Sequence, residues 1–326
     1  MTKKKIIIDC DPGIDDTLAL LYALQHPELE VVAVTVVAGN SPIELGVKNA
    51  FVSLELLNRL DIPVYKGAAT PLVRNYVSAQ DTHGMDGLGE NDFQLKTSYR
   101  VQEQSADAFL ADYFASEQDT AIIALGPLTN IAKAIERNPN LGQHCSRFVS
   151  MGGSFKSHGN CSPVAEYNYW CDPHAAQQVF QMLGRQVEMV GLDVTRSIVL
   201  TPNHLEYMSH LNSRMVDFIA KITCFYFDFH WEYEHIIGCV INDPLAIAHF
   251  INDDICTGFD SYTDVVTDGL AIGQTVVDQY HFHHKPSNST ILTSVNTHLF
   301  WTDFLTVILN AQKEVIAHDL NNLQLG

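Results

Sequence analysis

Four carboxylates crowd into eight residues near the start of the chain, in the run Asp9-Cys10-Asp11-Pro12-Gly13-Ile14-Asp15-Asp16. One or two of them could cap a following helix or favour its positive end. Four at close range repel one another, and an oxygen-binding cation such as Ca²⁺ or Mg²⁺ would resolve that repulsion. An Asp-x-Asp pair at a strand end also suits a phosphoryl-transfer hydrolase with an aspartyl nucleophile, so that chemistry stays open here. A glycine-rich phosphate cradle is not supported. Neither Gly-x-x-x-x-Gly-Lys nor Gly-x-Gly-x-x-Gly occurs in this turn.

Three further polar clusters break otherwise apolar surroundings. Asn40 follows Gly39 just past a β-branched run, where it serves either a turn or a ligand. Asp243 precedes Pro244 in Ile241-Asn242-Asp243-Pro244-Leu245-Ala246, which is an N-cap pattern. Its apolar neighbours predict a buried helix start, and a buried carboxylate needs a partner such as a cation. Asn160, Glu166 and Asn168 recur in an irregular stretch. In extended backbone Glu166 and Asn168 would point one way, a geometry suited to vicinal hydroxyls, although loop hydrogen bonding would also explain them.

The elements that must position these groups alternate. Lys5 to Asp9 reads as a buried strand, Asp15 to Gln25 as a helix and Val31 to Val37 as a strand covered on both sides. Helices are expected over Ile43 to Leu57, Ser105 to Ser116, Leu128 to Arg137 and Pro173 to Leu183. Strands are expected over Ile62 to Lys66, Thr120 to Leu125, Arg147 to Met151 and Val187 to Leu192. Thr70 to Ser98 and Gly152 to Trp170 read as long loops of the kind that carry function. Pro202 to Phe227 reads as largely helical, Pro244 to Phe250 as the start of a helix and Ile272 to Val277 as a strand. This order predicts an α/β fold, an open, mostly parallel doubly wound (Rossmann-like) sheet with additional C-terminal strands and helices. One domain over residues 1–326 is expected. In that architecture the acidic block falls at the carboxyl end of the first strand, where open sheets bind ligands.

Composition narrows the partners. Nineteen basic against 38 acidic residues give a formal charge of −19, which disfavours nucleic acid and anionic membrane surfaces. No apolar run is long enough to span a bilayer, and Ile6-Ile7-Ile8 is too short for a signal-peptide core. The seven cysteines contain no Cys-x-x-Cys and read as scattered buried thiols of a reducing, cytoplasmic compartment. His281-Phe282-His283-His284 lacks convincing zinc-site spacing and reads as a solvated strand end.

Taken in order, several segments resemble the calcium-dependent nucleoside hydrolases, the inosine–uridine-preferring N-ribohydrolases. They are Asp9 to Asp16, Ala38-Gly39-Asn40, Ala124-Leu125-Gly126-Pro127-Leu128-Thr129-Asn130, Met151-Gly152-Gly153, Asn160 through Asn168, Gly191-Leu192-Asp193-Val194-Thr195 and Asn242-Asp243-Pro244. The resemblance spans nearly the whole chain. It implies Ca²⁺ held by Asp11, Asp16, Asp243 and the main-chain carbonyl of Leu125. It implies a ribose clamp of Asp15, Asn40, Glu166, Asn168 and Asp243, with Asn160 and the Met151 main chain also over the sugar. Asp11 would be the general base that takes a proton from metal-bound water. Hydrolysis of a ribonucleoside to free base and ribose, serving salvage, follows, and a 2′-deoxy substrate should suffer. A homodimer or homotetramer is expected by the same resemblance.

The leaving-group side departs from the family's best-known members. They carry His immediately before the metal-binding Asp, and here the position is Asn242, which has no ionisable proton to give. Either another group protonates the base, or the base leaves without direct protonation, or Asn242 hydrogen-bonds the base of an unusual substrate. The aromatic stretch Phe225 to His235 offers Tyr226, His230, Trp231 and His235 to stack on or donate to a base, unless they serve core or interface packing. His83 lies in a loop that resembles the family's first flexible loop, and contact with substrate is expected there. Gly84, Gly87 and Gly89 would let that loop move. Pyrimidine ribonucleosides are the favoured substrates, with a purine or modified purine ribonucleoside as the alternative. A Mg²⁺-dependent phosphohydrolase and a non-catalytic ribose-binding protein are the rivals from other classes.

Overall fold

The run Ile6-Ile7-Ile8 lies in the middle of strand β1 (Lys4–Cys10), and all three side chains are fully buried. Strands β2 (Leu29–Val36) and β4 (Thr120–Ala124) flank it in parallel, with Asp9 level with Thr35 on one side and Ala124 on the other. The computed structural model describes residues 2–211 and 213–326. Strands β3 (Val64–Lys66), β5 (Phe148–Met151) and β6 (Val187–Val190) complete the parallel core, and β7 (Val199–Leu200) pairs with β8 (Cys239–Val240) outside it. Then come β9 (Cys256–Ser261), β10 (Thr263–Val265), β11 (Thr275–Val277) and β12 (Ser289–Val295). The main sheet has the order β3-β2-β1-β4-β5-β6-β12-β9, parallel throughout except for the antiparallel edge pair β12–β9.

Alternation along β1 divides the core. Ile6, Ile8 and Cys10 pack against the helices Ile14–Gln25, Ile43–Leu56, Asp243–Ile251 and Thr297–Leu309. Ile7 faces the other way, with Ile122 and Ala124, onto the helices Ala106–Ser116, Thr129–Arg137 and Pro173–Met182. A sheet buried on both faces accounts for the continuous β-branched runs. The chain order reverses direction between β1 and β4, so the loops after these strands part and leave a crevice at their carboxyl ends.

The expected doubly wound sheet is present, with several differences of detail. The expected strand Ile272 to Val277 shortens to β11, which pairs with β10 in a separate two-stranded ribbon. The sheet is instead extended by β12, whose Ser-Thr-Ile-Leu-Thr-Ser-Val sequence is too polar to stand out as a core strand. The helical region after Pro202 is two helices, Pro202–Ser209 and Ser213–Glu234, and the second runs on through most of the aromatic stretch. His281 to His284 form a turn rather than a strand end, with the Asp278 carboxylate accepting from the Phe282 and His283 amides. Five cysteines are buried, but Cys161 and Cys224 are exposed, and all seven are free thiols. Among the described residues, no helix is long and apolar enough to cross a membrane.

Candidate active site

At the end of β1 the chain turns through Asp11-Pro12-Gly13 into the helix Ile14–Gln25. Asp16 tethers that turn, its carboxylate accepting from the Asp11 amide at 3.1 Å and the Gly13 amide at 3.0 Å. It also accepts from Asn40 Nδ2 at 2.9 Å, which joins the β1 and β2 loops. So the simple capping role is real for Asp16, and the other carboxylates need another account.

Asp11 is nearly inaccessible. Asp11 Oδ2 accepts from the Asn40 amide at 2.6 Å, while Oδ1 is buried with no hydrogen-bond partner. Glycines crowd it on two sides. A Cβ at Gly39 or at Gly126 would overlap the Asp11 carboxylate, so both must lack side chains. Burial and the neighbouring Asp16 push the Asp11 carboxyl well above the usual carboxylate range. Asp16 and Asp243 are raised for the same reasons, burial first and then their acidic neighbours.

Asp243 comes from the far end of the chain. The helix Asp243–Ile251 starts with Asn242 at the cap position, and no side chain caps it, so the Asp243 carboxylate is not spent on its own helix. One carboxylate oxygen each from Asp15, Asp16 and Asp243 lie within 4.8 Å of one another, all three buried. This grouping differs from the expected ligand set. Asp15 stands in the cluster, whereas Asp11 lies beside it, tied to Asp16 through its backbone. Leu125 lines the cavity, and its carbonyl accepts from Asn168 Nδ2 at 2.7 Å.

Over this acidic floor lies a cavity of 560 Å³. Asp15, Asn40, His83, Leu125, Met151, Asn160, Glu166, Asn168, Tyr226, His230, Asn242 and Asp243 all line it. The reason offered for Glu166 and Asn168 is not the one the structure gives. Glu166 is extended, but the helix begins at the next residue, so Glu166 and Asn168 do not lie on one extended segment. Glu166 caps the short helix Tyr167–Cys171 and accepts from the Gly153, Asn168 and Tyr169 amides. Asn160, at the exposed mouth, accepts from the Tyr167 amide.

Trp231 and His235 are not brought to the cavity. The helix Ser213–Glu234 lines the cavity with Tyr226, Phe229, His230, Tyr233 and Glu234, at spacings of three, four, seven and eight residues, although Tyr233 is itself 65% exposed. Trp231 and His235 fall off that face. Trp231 is 57% exposed, and His235 lies just past the helix with φ at +57°. Phe229, Tyr233 and Glu234 were not singled out from sequence, although their helical spacing from Tyr226 was readable there. Arg196, bonded to Glu234 Oε2 at 2.7 Å, gave no sequence signal.

The imidazoles facing the cavity have defined hydrogen-bond roles. His83 Nδ1 accepts from the Ile14 amide at 3.1 Å, so its proton resides on Nε2. His230 Nε2 accepts from the Val240 amide at 3.3 Å, and its Nδ1 therefore donates to the Tyr226 carbonyl at 2.9 Å. Burial lowers the pKa of both, which keeps them neutral. Asn242 Nδ2 donates to Asp15 Oδ2 at 3.0 Å, and its Oδ1 is buried without a partner. The loop carrying His83 is strapped in place. Asp86 accepts from the Leu88, Glu90 and Asp92 amides, and Gly84, Gly87 and Gly89 all take positive φ.

The family model described as inosine-uridine preferring nucleoside hydrolase matches residues 6–302. A pyrimidine-specific ribonucleoside hydrolase, RihA, of Klebsiella pneumoniae is 36% identical over 301 residues, covering 90% of this chain and 95% of that one. The RihA of Salmonella typhi is 37% identical over 294 residues, covering 89% and 94%. Among solved structures, a purine-preferring ribonucleoside hydrolase from Gardnerella vaginalis superposes with a TM-score of 0.87 at 32% identity, over 94% of this chain and 98% of that one. A plant nucleoside hydrolase, PpNRh1, gives 0.88 at 30% identity, over 94% and 99%. The chain belongs to the inosine–uridine preferring nucleoside hydrolase family and is a ribonucleoside N-ribohydrolase.

Proposed function

We propose that this hydrolase prefers pyrimidine ribonucleosides and works with Asp11 as general base and Ca²⁺ on the acidic floor. The observation that carries the reading is the convergence of Asp15 and Asp16 with Asp243 beneath one cavity, across more than two hundred residues of chain.

The residues fit a hard cation. Asp11 Oδ1 is an orphaned buried acceptor, and carboxylates clustered without compensating cations are held above their ordinary pKa values. All the available donors are oxygens, the set that Ca²⁺ and Mg²⁺ take. Asp11, Asp16, Asp243 and the Leu125 carbonyl would hold Ca²⁺, with Asp15 adjoining. When bound, the ion would fix the ribose hydroxyls and the attacking water and offset the charge of the floor.

The chain's own groups supply the remainder. Asp15, Asn40, Glu166 and Asn168 bind and orient the ribose, with Asn160 closing over it from the mouth. Carboxylates and carbonyls around the sugar stabilise the positive charge that grows on the ribose ring as the C1′–N bond lengthens. Asp11 takes the proton of the attacking water. Its confinement between Gly39 and Gly126 fixes the direction from which it does so. On the leaving-group side, Asn242 gives no proton and His230 has both nitrogens engaged, so no strong acid faces the base. The neutral His83 N–H offers a hydrogen bond. That suits a pyrimidine, whose departure relies less on full protonation than a purine's does. The pyrimidine-specific RihA relatives agree with this preference.

A panel of uridine, cytidine, inosine, adenosine and 2′-deoxyuridine, each with Ca²⁺ and with chelator, tests the proposal. Release of base and ribose from uridine and cytidine, lost with chelator and weak for 2′-deoxyuridine, is expected. Inosine turnover above that of uridine would remove the pyrimidine preference.

A further inference from the structure

Protonation of a leaving base serves to neutralise the electron pair it carries away. A base that is already cationic, bonded to ribose through a positively charged ring nitrogen, leaves neutral without any acid. The cavity combines two features that favour such a base. On the base side, Asn242 and His230 have their donors engaged by observed hydrogen bonds, and His83 keeps only the weakly acidic Nε2–H of a neutral imidazole. Asn242 occupies the leaving-group position with its amide donating to Asp15, which leaves Oδ1, a bare acceptor, buried beside the cavity. His230 is locked between the Tyr226 carbonyl and the Val240 amide, and His83 Nδ1 is held by the Ile14 amide. The remaining imidazole, His158, stands at the exposed mouth with Nδ1 2.8 Å from the Gly159 carbonyl.

The second feature is charge. Asp15, Asp81, Glu166, Glu234 and Asp243 all border the cavity, while among the described residues Arg196 is the one Lys or Arg that lines it and is paired with Glu234 at 2.7 Å. A divalent ion on the floor would leave this surround negative. Tyr226, Phe229 and Tyr233 add aromatic surface from one helix face, and aromatic faces attract a cationic ring.

We infer that the site hydrolyses ribosides of cationic bases, the N-ribosyl pyridinium class, more efficiently than neutral pyrimidine ribosides. This rests on the proposed ribonucleoside hydrolysis and extends its substrate range. In the step, water oxygen bonds to C1′ and the C1′–N bond breaks with its electron pair passing to the ring nitrogen, whose positive charge is thereby cancelled. The water proton goes to Asp11 and then to solvent. The products are ribose, a neutral pyridine base and one proton, so no co-reactant is needed.

Nicotinamide riboside is the probe, assayed beside uridine and inosine with the Ca²⁺-loaded protein by release of ribose and base. Its kcat/KM is expected to exceed that of uridine at least tenfold and to show no loss attributable to an acid between pH 6 and 8.5. The Asp11→Asn variant should lose this cleavage at least a hundredfold, which separates catalysis at the site from the intrinsic lability of the bond. Asn242→His should raise inosine turnover about tenfold and lower the ratio of nicotinamide riboside to inosine cleavage. Uridine cleavage with slower nicotinamide riboside cleavage would overturn the inference and leave the ribonucleoside reading standing. Cleavage of the pyridinium riboside that persists unchanged in Asp11→Asn would also overturn it. If none of the three substrates released ribose, the proposed function itself would fall and the inference with it.

Discussion

Replacing Asp243 with Asn should uncouple Ca²⁺ from stability. Asp243 enters the acidic cluster from a helix that begins more than two hundred residues after Asp16, so a shared ion would tie together two helices far apart in the chain. A ligand that binds only the folded state at a hundred times its Kd stabilises that state by about 2.7 kcal/mol. Unfolding entropy near 2.1 cal/mol/K per residue gives about 0.7 kcal/mol/K for 326 residues, so the wild-type melting temperature should rise by about 4 °C. In Asp243→Asn the same Ca²⁺ concentration should raise it by less than about 1 °C. Without Ca²⁺ the variant should be at least as stable as the wild type. The substitution removes a carboxyl that burial and its neighbours Asp15, Asp16 and Asp11 hold far from its ordinary ionisation. Differential scanning calorimetry over a Ca²⁺ series reads both quantities. An equal shift in wild type and variant would refute the reasoning, because the ion would then bind elsewhere.

Three other outcomes follow from separate parts of the structure. Gly39→Ala puts a methyl group into the Asp11 carboxylate, so kcat on uridine should fall at least a hundredfold with far-ultraviolet circular dichroism unchanged. Glu188 is raised by burial, but its bonds to Arg147 and His249 prevail and hold its carboxyl at about 2, below the ordinary 4.5. The stability this lends is present above pH 4.5 and is lost as the pH falls through 2. Glu188→Gln should therefore cost about 2–3 kcal/mol in urea unfolding at pH 7 and show a shallower acid loss. Asp86→Ala frees three backbone amides in the loop that carries His83, so hydrogen exchange should quicken over residues 84–92 and KM should rise severalfold.

Strongly periodic elements and close-spaced motifs were legible in the sequence. The β1 block, its following helix and the parallel alternation through Val190 could be read because doubly covered strands are uniformly apolar and helices carry a 3.6-residue stripe. The acidic floor could be read because no local role accommodates so many carboxylates. Strand β12 escaped because Ser289, Thr290, Thr293 and Ser294 dilute its apolar signal, and its place beside β6 depends on a long-range pairing. Trp231 and His235 were expected at the cavity because composition marks an aromatic stretch without fixing its rotation about the helix axis. Other supports have no local signature at all. Tyr76 and Tyr167 both donate to the Gly39 carbonyl and so hold the loop that covers Asp11. Asn130 bridges Asp9, the Val36 carbonyl and the Ala68 amide, binding together the loops that frame the site.

The most direct trial of the catalytic assignment is steady-state hydrolysis of uridine by Asp11→Asn with Ca²⁺ saturating, following uracil and ribose together. A positioned general base contributes roughly 10²–10⁴ in rate. Turnover lower by about a thousandfold, with KM changed by less than about fivefold, is the expected result. A variant that kept more than a tenth of wild-type kcat would contradict the assignment of Asp11 as the group that activates water.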